Sequence, residues 1–329
     1  MTIKLSPLVN IGVIVPNAEE AYQLLHNLFG ALKIQEDLAN LLNGDSAKVI
    51  HVGVGDLVLQ FIEPLAREGI WYNHLQTKGP GVHHLTFTVD NIKETIKIIE
   101  KERGIAPLSR IDIEWEKIIP LEQMNQDAKT LYIMDTMEKF GFHLALSERS
   151  MIKERDIPKT QYPTGYDKLI GDASTMLHIE LTNSDNEKTY EFLHKLFGTE
   201  IIEKEFSSIL DSDFMRIIHV NLSNAVLQYC QPVGKEGTWY ELLQKNGAYV
   251  HNLNWCVDDI KETVKLFKKE RVPQIFENRL PGAPPDSPPF YMMNTLDRLG
   301  FHLEHGQAPT TKEGYEFTKN WLFIDFKKD

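Results

Sequence analysis

The run LVNIGVIV, residues 8–15, is apolar at nearly every position, and the segment after it repeats Ala21, Leu24, Leu25 and Leu28 at helical spacing. That order predicts a buried strand leading into an amphipathic helix. Alternating apolar runs follow, among them KVIHVGVGDLVLQFIEP at 48–64, and read as strands joined by a tight turn. VHHLTFTV then opens a second unit, whose helix DNIKETIKIIEKER carries Ile92, Ile96 and Ile99 on one face. The unit is βαβββ, and the pattern predicts four of them along the chain.

The later two repeat the earlier two. NIGVIVPNAEEAYQLLHNLFG (10–30) returns as HIELTNSDNEKTYEFLHKLFG (178–198), and EGIWYNHLQTKG (68–79) as EGTWYELLQKNG (236–247). The offset is 168 residues without a gap, and it falls to 159 at the last pair, FGFHLALSE (140–148) and LGFHLEHGQ (299–307). Two homologous domains in tandem are therefore expected, at 1–150 and 173–309, joined by a linker at 151–172 and followed by a tail at 310–329. The tail has no counterpart in the first copy and reads as an interface strand or helix. Pro281, Pro284, Pro285, Pro288 and Pro289 mark a loop in the second copy.

Composition narrows the class. An apolar fraction of 42% in 329 residues is ample for two cores. Lys and Arg total 35 against 47 acidic residues, a net charge of −12 that argues against nucleic acid or an anionic membrane as the partner. Cys230 and Cys256 form no CxxC pair or disulfide framework, so a reducing, cytoplasmic setting is expected. No apolar run approaches the length of a membrane span, and strand-like sequence begins too early to leave room for a signal peptide.

Candidate chemistry lies on the inner strands. A two-residue turn at Gly55-Asp56 places His51 opposite Gln60, and Ser223-Asn224 places His219 opposite Gln228 by the same count. Such pairs need partners, because an unpaired buried polar group costs roughly 1–3 kcal/mol. A His–Gln hydrogen bond within each sheet is one reading, and a functional role is the other. The repeat also exchanges one imidazole for an amide: GPGVHHLTFTVDNIKETIK (79–97) becomes GAYVHNLNWCVDDIKETVK (247–265), so that Asn252 stands where the first copy has His84.

The βαβββ units, the HH at the start of the second half, the DIKET after it and the closing GFHLE together resemble the vicinal oxygen chelate superfamily, most closely methylmalonyl-CoA epimerases and glyoxalase I. The resemblance implies an α+β fold with two tandem vicinal oxygen chelate domains, four βαβββ modules forming curved mixed sheets with flanking helices. It also implies one divalent metal ion (Co, Ni, Mn, Zn or Fe), held by a first-strand histidine, a fourth-strand glutamine or glutamate, the second histidine of HH and a last-strand glutamate. By position the first copy offers Asn10, Gln60, His84 and Ala145, and the second offers His178, Gln228, Asn252 and Glu304. Neither set is complete. The metal ligands expected are His178, Gln228 and Glu304 within the second copy, with the first copy degenerate. If halves exchange between domains, His84 would join His178 and Gln228 instead.

His219 beside Gln228 is the candidate for moving a proton, with a fifth ligand or a supporting hydrogen bond as the other roles open to it. Glu304 is the second candidate for catalysis. His83 and His251, one residue from the ligand position, are expected to face the opposite side and to pack. Trp71 and Trp239 are expected to anchor helices against the sheets. The activity implied by the resemblance is that of an epimerase or isomerase removing a proton next to a metal-bound carbonyl of an acyl-CoA or keto substrate. Extradiol ring cleavage and non-catalytic binding of a small molecule are the competing classes. A small-molecule substrate is the partner expected, with no nucleic acid and no membrane, and a homodimer is compatible with the reading.

Overall fold

The computed structural model describes residues 2–40, 46–112, 130–148, 171–202, 214–279 and 289–309. The proline loop apart from Pro289, the linker apart from residues 171 and 172, and the whole tail lie outside these segments.

Each copy forms one mixed sheet. In the first copy the strands are β1 (Asn10–Ile14), β2 (Leu32–Asn40), β3 (Ser46–Val54), β4 (Leu57–Pro64), β5 (Gly81–Val89), β6 (Pro107–Asp112), β7 (Thr130–Met134) and β8 (His143–Glu148). They lie in the order β2-β3-β4-β1-β5-β8-β7-β6. The second copy has β9 (Ala173–Thr182), β10 (Met215–Leu222), β11 (Ala225–Pro232), β12 (Tyr249–Val257), β13 (Gln274–Asn278), β14 (Phe290–Met293) and β15 (His302–Gln307). Its order is β10-β11-β9-β12-β15-β14-β13. An Ile201–Val220 bridge occupies the place of the β2–β3 pairing Lys33–Val52 in the first copy. These are the four βαβββ modules. Every sheet is drawn from a single copy, so the halves are not exchanged.

The local signals explain the elements. Asn17, Asn91, Asp185 and Asp259 each cap a helix by accepting from a backbone N–H in its first turn. Leu24, Leu25 and Leu28 are buried, as the helical stripe requires. The hairpins hold the expected register: Val54 faces Leu57, His51 faces Gln60, and His219 faces Gln228. The first turn residue is left-handed in both hairpins, at Gly55 (φ 56°) and at Ser223 (φ 58°). Glycine adopts that conformation freely, whereas serine does so at a cost.

The two sheets meet in a pseudo-twofold way. Asp56 Oδ1 accepts from Met176 N at 2.9 Å, and Asn224 Oδ1 accepts from Leu8 N at 2.7 Å, the same contact made in both directions. One continuous apolar core runs through both copies, including Leu85 and Phe87 of β5 and Leu253 and Trp255 of β12. Among the described residues, no helix is long and apolar enough to cross a membrane.

Candidate metal centre

The site is built on β9, β12 and β15 of the second sheet. Glu180 of β9 pairs with Asn252 of β12, and Asn254 of β12 pairs with both His178 of β9 and Glu304 of β15. Alternation then places His178, Glu180, Asn252, Asn254 and Glu304 on one face. His178, Glu180 and Glu304 each bring a ligand atom within 4.8 Å of the other two. Asn252 Nδ2 bridges the carboxylates, donating to Glu180 Oε2 at 2.9 Å and to Glu304 Oε2 at 2.8 Å.

Two carboxylates this close and this buried cannot both stay charged without a proton or a cation between them. Burial and the adjacent Glu180 charge raise Glu304 to about 8. For Glu180 burial works in the same upward direction, but the His251 imidazole, and after it His178 and the Asn252 amide, overcome it and hold the group ionised well below the usual carboxylate range. Burial lowers His178 to about 4, so its imidazole is neutral and able to ligate. The Oδ1 atoms of Asn252 and Asn254 are buried and accept no hydrogen bond. A neutral imidazole and two carboxylates converging on one point form a donor set that fits a divalent cation.

Gln228 stands beside this group, with its Cα paired to Glu180. Its carbonyl oxygen accepts from His219 Nε2 at 2.9 Å and its amide contacts Cys230 Sγ at 3.6 Å, so the expected His–Gln bond is present. Gln60 and His51 also pair in the first copy, but with the direction reversed: the Gln60 amide donates to His51 Nε2 at 3.1 Å. His84 belongs to the first sheet and is not brought to His178.

The placement of His83 and His251 is corrected. The register slips between Val250 and Asn252, and between Gly12 and Val13 opposite His84. Each slip is a bulge that adds one residue and turns the extra side chain to the same face as its neighbour. His251 Nε2 thus lies 3.1 Å from Glu180 Oε1, and His83 Nδ1 lies 3.1 Å from His84 Nδ1. Trp239 also does more than anchor a helix, since its Nε1 donates to Glu180 Oε1 at 3.1 Å.

Glu180 and Asn254 were not singled out from the sequence. The 168-residue offset pairs Glu180 with Gly12, a glutamate against a glycine in the middle of a buried strand, and that contrast was the available signal. It also accounts for the exchanged imidazole. A Cβ on Gly12 would lie 2.1–2.5 Å from the ring atoms of His84, so the imidazole fills the space that the Glu180 side chain takes in the other copy. Where the carboxylate is present, the small amide of Asn252 fits and donates to it.

Comparison with known proteins agrees with this architecture. Residues 10–112 match the Glyoxalase/Bleomycin resistance protein/Dioxygenase superfamily. The match lies within the first copy, and both copies have the fold of vicinal oxygen chelate domains set in tandem. Among curated relatives, human mitochondrial methylmalonyl-CoA epimerase is 29% identical over 100 residues, covering 30% of this chain and 55% of that protein. The Dictyostelium discoideum mitochondrial enzyme of the same name is 26% identical over 121 residues, covering 36% of this chain and 70% of its own. The chain thus spans about half the length of the human relative. Among solved structures, a mutant 4-hydroxymandelate synthase from Streptomyces coelicolor superposes with a TM-score of 0.59 at 15% identity, covering 94% of both chains. The 2,3-dioxygenase LapB from Pseudomonas sp. KL28 gives 0.52 at 13% identity, covering 94% of this chain and 93% of its own. At these identities the two structures speak for the fold alone.

Proposed function

We propose that the chain is a divalent-metal-dependent epimerase or isomerase that moves a proton next to a carbonyl, with its site in the second copy. The observation that carries this reading is the convergence of buried His178 and Glu180 with half-buried Glu304, and Asn252 bridging the two carboxylates. His178, Glu180 and Glu304 would hold the ion, with the Asn252 amide nitrogen bridging the two carboxylates. One imidazole with two carboxylates favours the harder end of the expected range, Mn²⁺ or Fe²⁺ before Zn²⁺. When bound, such an ion supplies Lewis-acid polarisation of a substrate carbonyl, which acidifies the neighbouring C–H.

The chain's own residues supply the proton chemistry. Donation by His219 Nε2 to Gln228 Oε1 makes Nδ1 the basic nitrogen of that ring, and the Gln228 oxygen stabilises the imidazolium once a proton has been taken. Glu304 is the second candidate to carry the proton, in a state where its carboxylate swings off the ion, and its side chain retains 16% exposure. The names of the matched epimerases point to an acyl-CoA thioester carrying a proton next to its carbonyl.

The test is exchange of that proton with solvent deuterium, using a 2-methyl-branched acyl-CoA in D₂O with Mn²⁺ supplied. His219→Gln should slow exchange by roughly 10²–10⁴-fold with metal content unchanged. Oxygen uptake with a catechol, and no exchange with any thioester, would move the chain to the ring-cleaving class.

A further inference from the structure

The Glu180 carboxylate sits in a socket. Its Oε1 accepts from Trp239 Nε1 at 3.1 Å and from Cys230 Sγ at 3.2 Å, and it lies 3.1 Å from His251 Nε2. The two donors, Trp239 and Cys230, take up the lone pairs of that oxygen, with the His251 ring beside them. Oε2 is left facing Asn252 and the neighbouring Glu304. The carboxylate therefore has one oxygen committed to the protein and one presented to the site.

The first copy shows what the same frame does without the carboxylate. Trp71, at the position of Trp239, is buried to 4% exposure in an apolar cluster with Ile14, Ile62 and Ala145. Its Nε1 is buried and has no hydrogen-bond partner. Gly12 occupies the place of Glu180, and His83 turns to His84 rather than to an acid. In the second copy, the helix Thr238–Asn246 buries none of its residues fully. Trp239 meets His251 edge-on at 6.0 Å and Phe276 at 6.1 Å. A helix so lightly buried gains much of its attachment from the indole, and the indole N–H is aimed at the acid.

We infer that Trp239 is a positioning residue: with Cys230 and His251 it fixes Glu180 so that Oε2 is presented for cation binding, and it couples the helix Thr238–Asn246 to occupancy of the site. The inference rests on the reading of His178, Glu180 and Glu304 as a metal centre. Groups that orient a ligand in this way change metal affinity by about 10–100-fold.

The experiment measures Mn²⁺ dissociation constants of the full-length chain by competition with a chromogenic chelator, with tryptophan emission recorded alongside. Trp239→Phe keeps the ring and removes the N–H, and it should weaken Mn²⁺ binding by about 10–100-fold. Trp239→His, which keeps a ring N–H, should recover part of that loss. Trp71→Phe is the internal control and should bind as the parent does. Emission should respond to Mn²⁺ in the parent and in Trp71→Phe, and should lose that response in Trp239→Phe. Unchanged affinity in Trp239→Phe, together with lost binding in His178→Ala, would overturn the socket and leave the metal centre standing. Full binding in His178→Ala would overturn both. If Trp239→Phe fails to fold, Cys230→Ala removes another donor to the same oxygen, and its affinity must then fall for the inference to hold.

Discussion

Gly12→Ala tests the account of why the two copies differ. The new Cβ would lie 2.1 Å from Cε1 and 2.3 Å from Nε2 of His84. Comfortable contact between such atoms is about 3.5–4.0 Å, so the ring must retreat by more than about 1 Å. His84 is 1% exposed and held against His83 at 3.1 Å, which leaves it little room to do so. Overpacking of this kind costs about 1–3 kcal/mol, and losing the His83–His84 bond adds ~1 kcal/mol. Restriction of the unfolded chain by alanine returns ~0.5 kcal/mol. A net loss of ~2–3 kcal/mol is expected in the parent background. In His84→Ala the ring is gone, and Gly12→Ala should then cost less than ~1 kcal/mol, a coupling of ~2 kcal/mol. Urea unfolding of the four proteins closes the cycle. Additivity within ~0.5 kcal/mol would refute the claim that imidazole and glycine replace carboxylate and amide as a pair.

Two further outcomes follow from named atoms. His305 is buried with neither ring nitrogen hydrogen-bonded, is stacked on Phe267 at 4.7 Å, and is lowered by burial to about 3. Its folded value lies below the free value near 6.5, so the unfolded chain binds the proton first and stability is lost as pH falls below about 6.5. His305→Leu, which installs the residue found at the equivalent Leu146, should therefore gain ~2 kcal/mol over the parent at pH 5 relative to pH 7, as read from urea midpoints; an equal change at both pH values would contradict it. Ser223→Gly should stabilise by ~1 kcal/mol, because glycine takes the left-handed turn without the steric cost that serine bears, and a loss in thermal midpoint would show that the serine is not strained.

Much of the fold was legible in the sequence because it rests on periods and turns. The 168-residue repeat, the helical stripe through Leu24, Leu25 and Leu28, and the Gly55-Asp56 turn each carry a local signal, and the turn alone fixed His51 against Gln60. The site was less legible, for a physical reason. Counting by twos along a strand fails at a bulge, and bulges fall at His83 and His251, next to the residues that matter. Glu180 was hidden in the same way: among the strands' apolar residues it is one charge, and nothing local says that Trp239, Cys230, His251 and Asn252 converge on it from other elements. His178 and Glu304 could be proposed because a family resemblance supplied their positions, whereas the carboxylate between them had to come from the packing.

The measurement that bears most directly on the centre is the metal content of the purified chain, alone and in two variants. About one divalent ion per chain is expected, since among the described residues the second copy alone gathers an imidazole and two carboxylates. Glu304→Ala should abolish binding, while His84→Ala, altered on the other sheet, should keep the full equivalent. Two equivalents per chain, or loss of the ion in His84→Ala with retention in Glu304→Ala, would contradict the assignment of the site.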